Sequence, residues 1–343
     1  MKVLVTGAAG FIGFHTTRQL AERGEEVVAL DNLNAYYDTR LKLGRLEALG
    51  IDPREAAGAT GDGEPLASTR YPGLRFFRRD ITDSPGMKNL LASERFDCIC
   101  HLAAQAGVRY SLENPAAYIS SNIEGFLSVL EAVRQTPVDH LVYASSSSVY
   151  GADSPAPYSE TAAADHPVSL YAATKRSNEL MAYTYAHLYG VPSTGLRFFT
   201  VYGPWGRPDM APTLFADAIA KGNPIKIYNH GEMQRDFTYV DDVVEGIIRV
   251  LSLGFANSAV AHRIYNIGNG APVRLMDFIS ALENEFGTRA EKDLLPMQRG
   301  DVTMTWADCT ALHRDTGYAP RTAIETGVTS FVNWYRSYYL GSG

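Results

Sequence analysis

Cysteine is scarce in this chain: Cys98, Cys100 and Cys309 are the three among 343 residues. So few thiols, and an odd number of them, exclude a disulfide framework and point to a reducing, cytoplasmic setting. No run of about 18 apolar residues occurs, so a membrane-spanning helix is not expected. The apolar opening from Met1 to Phe14 contains three spaced glycines and no small-residue cleavage pattern before Arg18, which reads as part of the fold rather than a leader. Basic charge is also lacking. With 31 Lys+Arg against 38 Asp+Glu the net charge is −7, so a nucleic-acid partner is not expected and any anionic ligand must be met by individual arginines. His101 and the other histidines show no metal-ligand spacing, and no metal is expected. There is no internal repeat or low-complexity tract. The hydrophobic fraction of 45% and charged fraction of 20%, with a mean hydropathy of −0.14, are ordinary globular values.

The length is enough for about two domains, or one large α/β unit with a cap. Short β-branched runs alternate with helical patterns: Lys2–Thr6, Glu26–Leu30, Leu74–Phe77, Asp97–Leu102 and His140–Ser145 read as buried strands. This alternation predicts an α/β fold, a doubly wound parallel sheet whose ligand crevice lies at the carboxyl ends of the strands. The spans Ala116–Arg134 and Leu170–Tyr189 are predicted helices. Their apolar residues, among them Ile123, Phe126, Leu127, Leu130, Leu180, Tyr183, Tyr185 and Leu188, belong to ordinary packing, part of which is expected to meet a second subunit. Ile51–Gly73 is rich in Gly, Ala, Pro, Asp and Ser without period and reads as a long surface loop. After Arg207 the rhythm loosens, which suggests a smaller cap.

Gly7, Gly10 and Gly13 form G-x-x-G-x-x-G between the first strand and the first helix. Missing side chains there let backbone N–H groups and a helix N-terminus approach a pyrophosphate. Asp31 ends the next strand, 18 residues past Gly13, where a carboxylate accepts the ribose hydroxyls of NAD and repels the 2′-phosphate of NADP. Tyr171 and Lys175 stand at i and i+4 on one helix face. A tyrosine with its usual pKa near 10 is a poor base at neutral pH, and a nearby ammonium favours the phenolate. Lowering that pKa by about 3 units corresponds to roughly 4 kcal/mol. Ser146 lies 25 positions before Tyr171, within Ser145-Ser-Ser-Ser148-Val-Tyr-Gly151 at a strand end.

Glycine motif, strand-end Asp, Ser and Tyr-x-x-x-Lys, in this order, resemble the extended short-chain dehydrogenase/reductase family, which implies a Rossmann sheet and a catalytic group of Ser146, Tyr171 and Lys175. Four longer stretches narrow the likeness: His101–Arg109, Asp31–Tyr37, Pro167–Tyr171 and Leu196–Met210 together resemble the UDP-glucuronate 4-epimerases, over residues 1–50 and 74 to about 336. The resemblance implies NAD contacts from Gly7, Gly10, Phe11, Ile12, Gly13, Asp31, Asn32, Asp80, Ile81, Ala103, Ala104, Gln105, Asn122, Tyr171 and Lys175. It implies substrate contacts from Arg109, Ser146, Ser147, Ser148, Thr200, Arg207, Arg235 and Asp301. Thr200 and Arg207 would meet the sugar carboxylate, which a guanidinium clasps in two parallel hydrogen bonds. Arg235 would meet the nucleotide, and Asp301 lies in a loop that closes over uridine, where Arg299 replaces an expected proline. Residues 1–198 would form the cofactor domain, with the chain returning to it at about 237–270, and 199–236 and 271–343 would bind the nucleotide sugar.

What the resemblance implies is a tightly held NAD, UDP-glucuronate and UDP-galacturonate as substrate and product, and a homodimer. Tyr171 takes the proton from the hydroxyl on carbon 4, a 4-keto sugar turns over, and the returned hydride inverts that carbon. Related 4,6-dehydratases place Asp-Glu, and decarboxylases Glu, where this chain has Ser147 and Ser148, so the side chain that would shuttle a proton for elimination or decarboxylation is missing. A neutral-sugar UDP-glucose/galactose 4-epimerase shares the chemistry without needing Arg207. A non-catalytic NAD-binding regulator would typically have lost Tyr171 or Lys175.

Overall fold

The computed structural model of the chain describes residues 1–61, 63–255, 260–298 and 300–341; Arg299 therefore lies outside the described residues. The strands in chain order are β1 (Lys2–Thr6), β2 (Glu26–Asp31), β3 (Leu66–Ala67), β4 (Leu74–Arg78), β5 (Cys98–His101), β6 (His140–Ser146), β7 (Ser193–Phe198), β8 (Thr200–Tyr202), β9 (Ile225–Ile227), β10 (Gln234–Arg235), β11 (Phe237–Tyr239), β12 (His262–Ile267), β13 (Val273–Arg274) and β14 (Lys292–Leu294). Eight of them make one sheet in the order β12-β7-β6-β5-β1-β2-β4-β3. The pairs β1–β2, β1–β5, β2–β4 and β5–β6 are parallel, with Thr6 beside Leu30 on one side and His101 on the other. Because β1 has its sequence neighbour on one side and the fourth-crossing β5 on the other, the order reverses at its carboxyl end. That is where a doubly wound sheet opens a ligand crevice.

The strands form because their apolar runs are covered on both faces. Val3, Leu4, Val5, Val27 and Val28 are completely buried. Leu4, Val28, Ile99 and Leu141 share one core with Leu90 and Leu91 of helix Ser84–Glu94 and Phe126, Val129 and Leu130 of helix Gly125–Gln135. The alternating pair Cys98 and Cys100 is buried in β5, and all three cysteines are free; burial pushes the Cys98 thiol up to about 11.

The chain divides into two compact units: Met1–Val149 with Pro167–Arg197 and Val244–Tyr265, and Tyr150–His166 with Phe198–Val243 and Asn266–Gly343. The stretch that returns to the first unit ends at Tyr265 rather than about 270, and two larger differences from the sequence reading have a visible cause. Residues 150–166 go with the second unit rather than the first, because Tyr150 Oη donates to Asn266 (2.6 Å), whose amide donates to the Tyr158 carbonyl (2.7 Å), and Tyr158 N–H donates to Trp306 O (2.7 Å). The return to the first unit comes at Val244 rather than about 237, because β11 pairs with β8 in a small parallel sheet of the second unit. The second unit has its own core, in which Phe278, Ile279 and Leu282 meet Phe331, Val332 and Tyr335.

The stretch Ile51–Gly73 is not the featureless loop that its composition suggests. Asp52 caps a short helix, Pro53–Gly58, by accepting from Arg54 N–H at 2.7 Å, and β3 pairs antiparallel with β4 at the sheet edge. Asp52 followed by Pro53 at the first helical position was the available signal. A helix of six residues is too short to show a period. Leu170–Tyr189 forms as one helix, capped by Ser169 and stopped by Gly190 at φ +69. The span predicted over Ala116–Arg134 is likewise helical without a gap, from Pro115 to Gln135, with a π-helical turn, Ile119–Glu124, between Pro115–Tyr118 and Gly125–Gln135 and right-handed helical backbone at both junctions.

Candidate active site

At the end of β1, Gly7 takes φ +70, and a Cβ there would stand 2.7 Å from Ala103 N. A Cβ on Gly13 would stand 2.0 Å from the Gly7 carbonyl oxygen. Gly10 donates to that oxygen at 2.9 Å and precedes helix Phe11–Glu22. Lacking a side chain, Gly10 cannot occupy the first-turn amides of the helix beginning at Phe11 and Ile12, and these remain available to an anion. The three glycines are thus required by close backbone approach, in a turn that leads into a helix N-terminus.

Asp31, at the end of β2, is 5% exposed. Its Oδ2 accepts from Ala9 N–H (3.1 Å) and its Oδ1 from Leu33 N–H (2.8 Å) and the Lys42 ammonium (3.3 Å). A carboxylate accepts about four hydrogen bonds, which leaves capacity for one ribose hydroxyl. Lys42 and Arg45, both buried, were missed in the sequence; Arg45 donates to Ala9 O and to Tyr37 Oη at 2.8 and 2.7 Å. Two charged residues on the inner face of a helix of low apolar content were the signal. Asn32 donates to Asp80 Oδ2 at 2.8 Å. Burial opposes ionisation of Asp80, but hydrogen bonds from Asn32 and Thr82 outweigh it and hold the carboxyl below its usual value. Ile81 enters the core.

After β5, Ala103 N–H donates to Thr6 Oγ1 at 3.2 Å, with Ala103 and Ala104 half-buried. Gln105 and Asn122 exchange two hydrogen bonds: Gln105 N–H to Asn122 Oδ1 (2.8 Å) and Asn122 Nδ2 to Gln105 O (3.0 Å). Asn122 also donates to Thr174 Oγ1 at 3.0 Å, so its side chain braces the loop against the long helix. The π-helical turn places it there. His101 is a neutral core group: burial, then the charge of Lys175, lowers its pKa to about 3.

Ser146 closes β6, 8% exposed, donating to Ser148 Oγ at 3.2 Å and accepting from Ser148 N–H at the same distance. Ser147 begins the 3-10 turn Ser147–Tyr150. Tyr171 sits in the first turn of helix Leu170–Tyr189, its ring edge-on to Tyr118 at 6.1 Å. One turn later Lys175, 3% exposed, donates to Ala144 O at 3.0 Å. The ammonium is thereby fixed to the strand that ends two residues later in Ser146, and burial lowers its pKa to about 8. Another turn on, Glu179 accepts from Ser145 Oγ (2.6 Å), from Arg197 Nε and Nη2 (2.8 Å each) and from Arg176 Nη1 (2.9 Å). Burial opposes its charge, and Arg197 prevails to lower its pKa. Glu179 extends the spacing of Tyr171 and Lys175 by a further four residues, a signal left unused in the sequence reading. Arg109 is exposed at the start of the short helix Tyr110–Glu113.

In the second unit, Thr200 opens β8. Arg207 grips Asp209 through both arms of its fork, Nε at 3.0 Å from Oδ1 and Nη2 against Oδ2. Arg235 is brought to Asp301 (3.4 Å) and also donates to the carbonyls of Gln234 (2.9 Å) and Thr303 (3.2 Å). Beside it Asp236, fully buried, accepts from the N–H groups of Asn269 (2.7 Å), Gly270 (3.0 Å) and Ala307 (3.0 Å), joining two loops to the segment between β10 and β11. Among the described residues no cluster of His, Cys, Asp or Glu could hold a metal ion.

Residues 3–268 match the model of the Epimerase family, described as the NAD dependent epimerase/dehydratase family. Protein CapI of Staphylococcus aureus is 46% identical, covering 99% of both chains. UDP-glucuronate 4-epimerase 4 of Arabidopsis thaliana is 44% identical over 99% of this chain and 76% of its own length. Among solved structures, UDP-glucuronic acid 4-epimerase from Bacillus cereus, in complex with UDP-glucuronic acid and NAD, superposes with a TM-score of 0.86 at 32% identity, covering 99% of this chain and 100% of the other. With a glycine cradle, a strand-end aspartate and a Ser, Tyr and Lys group on the matched span, this chain belongs to the NAD dependent epimerase/dehydratase family.

Proposed function

We infer that this protein is an NAD-dependent epimerase that inverts carbon 4 of UDP-glucuronate to give UDP-galacturonate through a 4-keto sugar. Support for the reading comes from the full-length likeness to UDP-glucuronate 4-epimerases and, above all, from one observation: the Lys175 ammonium is anchored to Ala144 O on the strand that ends in Ser146, on the same helix as Tyr171. Gly7, Gly10 and Gly13 with Phe11 and Ile12 would cradle the pyrophosphate, Asp31 and Asn32 the adenosine ribose, and Ala103 to Gln105 the middle of the cofactor. Bound NAD supplies the hydride acceptor and, once reduced, the donor.

Tyr171 Oη, as phenolate, takes the proton of the carbon-4 hydroxyl and returns it once that carbon is inverted. Lys175 stabilises the phenolate by charge, and Ser146 Oγ donates a hydrogen bond to the reacting oxygen. Thr200 and Arg207 hold the uronate carboxylate, Arg207 exchanging the Asp209 carboxylate for that of the substrate. Arg235 and Asp301 serve the nucleotide end, with Arg109, Ser147 and Ser148 at the sugar. Ser147 and Ser148 supply no carboxyl for elimination or decarboxylation, and Glu179, ionised against two arginines, is unsuited to shuttle a proton.

A homodimer joined through helices Gly125–Gln135 and Leu170–Tyr189 accounts for their outward apolar residues: Leu127, Leu180, Tyr183 and Leu188 are 41–60% exposed. Among the described residues no helix is long and apolar enough to cross a membrane. The three free thiols suit a cytoplasmic setting.

The test is to incubate the purified protein, without added cofactor, with UDP-glucuronate and follow the sugar by NMR. The expected outcome is a mixture with UDP-galacturonate and no net NADH or carbon dioxide. Arg207→Ala should abolish activity on the uronate and spare any activity on neutral UDP-sugars; loss of both alike would overturn the role given to Arg207.

A further inference from the structure

The loop that carries Arg207 is held in a backbone shape that its own residues disfavour. Trp205, two positions before Arg207, takes φ +62, a left-handed conformation that bulky side chains rarely adopt. Gly203, at φ +144, accepts from Gly206 N–H at 3.2 Å, closing the turn. A further contact must hold Trp205. Its ring lies 5.6 Å from that of Trp334 and, edge-on, 5.0 Å from that of Tyr338, and these two stack on one another at 5.6 Å. Trp334 belongs to helix Ile324–Tyr335 and Tyr338 to the π-helical turn Arg336–Leu340 that continues it. The other end of this helix is seated on β8: Tyr202 Oη donates to Ile324 O at 3.4 Å, and a Cβ on Gly327 would stand 2.1 Å from that hydroxyl. One helix therefore registers the strand that begins with Thr200 against the loop that carries Arg207.

We propose that Trp334 and Tyr338 are positioning residues for recognition of the substrate carboxylate: their rings hold Trp205 left-handed and so set where Arg207 projects, without touching substrate. The proposal rests on Arg207 being the residue that meets that carboxylate. Replacing either ring lets the loop relax to a negative φ, and a displacement of about 1 Å at a binding group is enough to cost ten-fold or more.

Steady-state kinetics with UDP-glucuronate, with UDP as a competitive inhibitor, test it. Trp334→Ala and Tyr338→Ala are expected to raise KM about ten-fold with kcat within about three-fold and the inhibition constant of UDP unchanged, while Tyr338→Phe keeps the wild-type KM. The decisive comparison is at position 205. Glycine adopts positive φ freely and alanine does not, so Trp205→Gly should have the lower KM of the two and should restore KM in the Tyr338→Ala background. The proposal is overturned if Tyr338→Ala leaves KM unchanged, if UDP inhibition weakens in step with KM, or if Trp205→Ala matches Trp205→Gly. Arg207→Ala separates the two readings. If it also leaves KM unchanged, the Arg207 assignment is what fails; if it abolishes turnover of the uronate or raises KM while Tyr338→Ala leaves KM unchanged, only the positioning role fails.

Discussion

In the proposed mechanism, Tyr171 and Lys175 divide the proton chemistry between a phenol that moves the proton and a buried ammonium that sets its acidity. Tyr171→Phe removes the base at little packing cost, and turnover should fall by about 10²–10⁴-fold, the range typical of general acid–base groups, with NAD binding retained; near wild-type turnover would remove Tyr171 from the mechanism. Lys175 carries a sign that can be checked. Burial lowers its pKa to about 8, so between about pH 8 and its ordinary value near 10.4 the unfolded chain binds the extra proton and the folded chain does not. Stability from this residue therefore rises with pH across that window. Catalysis runs the other way, because the phenolate loses its ammonium partner as Lys175 deprotonates. An alkaline fall in kcat/KM setting in near pH 8 is expected, and it should shift upward in Lys175→Arg; a pH profile identical in the two proteins would show that another group titrates.

The elements show how the site is kept in register. Helix Leu170–Tyr189 is tied to β6 and β7 by Glu179, whose carboxylate meets Ser145 and Arg197 with both charged side chains 1–2% exposed. Removing one partner of a buried pair leaves the other charge uncompensated, which costs about 3–5 kcal/mol, whereas replacing both by apolar groups is often near neutral. Because Arg176 and Ser145 stay on Glu179, Arg197→Met should lower the unfolding free energy by less than that full amount, and Glu179→Leu combined with Arg197→Met should recover part of it, as measured by urea denaturation. Gly7→Ala places a Cβ against Ala103 at a positive φ, and loss of NAD affinity is expected in calorimetric titration. The helix pattern itself was legible, with Ser169 and Gly190 marking both ends. The π-helical turn at Ile119–Glu124 was not, because a single turn of six residues is too short to set a period of its own. Glu179 and Arg197 escaped notice because pairing across 18 positions depends on β7 lying beside β6.

At the scale of the molecule, the chain passes between the two units five times, and the second unit is built from three segments. Asp236 holds two of its loops, at Asn269–Gly270 and at Ala307, with one carboxylate, and Asp236→Ala, which leaves the buried Ala307 N–H without its acceptor, should cost at least about 1–3 kcal/mol. The outward Leu180 and Tyr183 bear on assembly: Leu180→Glu is expected to shift the elution of the protein in size-exclusion chromatography from a dimer to the 37.5 kDa monomer. Elution of the unaltered protein as a monomer would refute the dimer.

Local order along the chain was enough to establish the βα rhythm, the glycine turn, the strand-end Asp31 and the Tyr171–Lys175 spacing, because each is set by neighbours within one turn or one strand. Tertiary structure alone decided that Lys42 reaches Asp31 and Arg45 reaches Ala9, that Lys175 is pinned to Ala144, that residues 150–166 join the second unit, and that Trp334 and Tyr338 reach Trp205. Those contacts span up to about 150 positions, and groups that far apart meet only where the packing of whole elements brings them together.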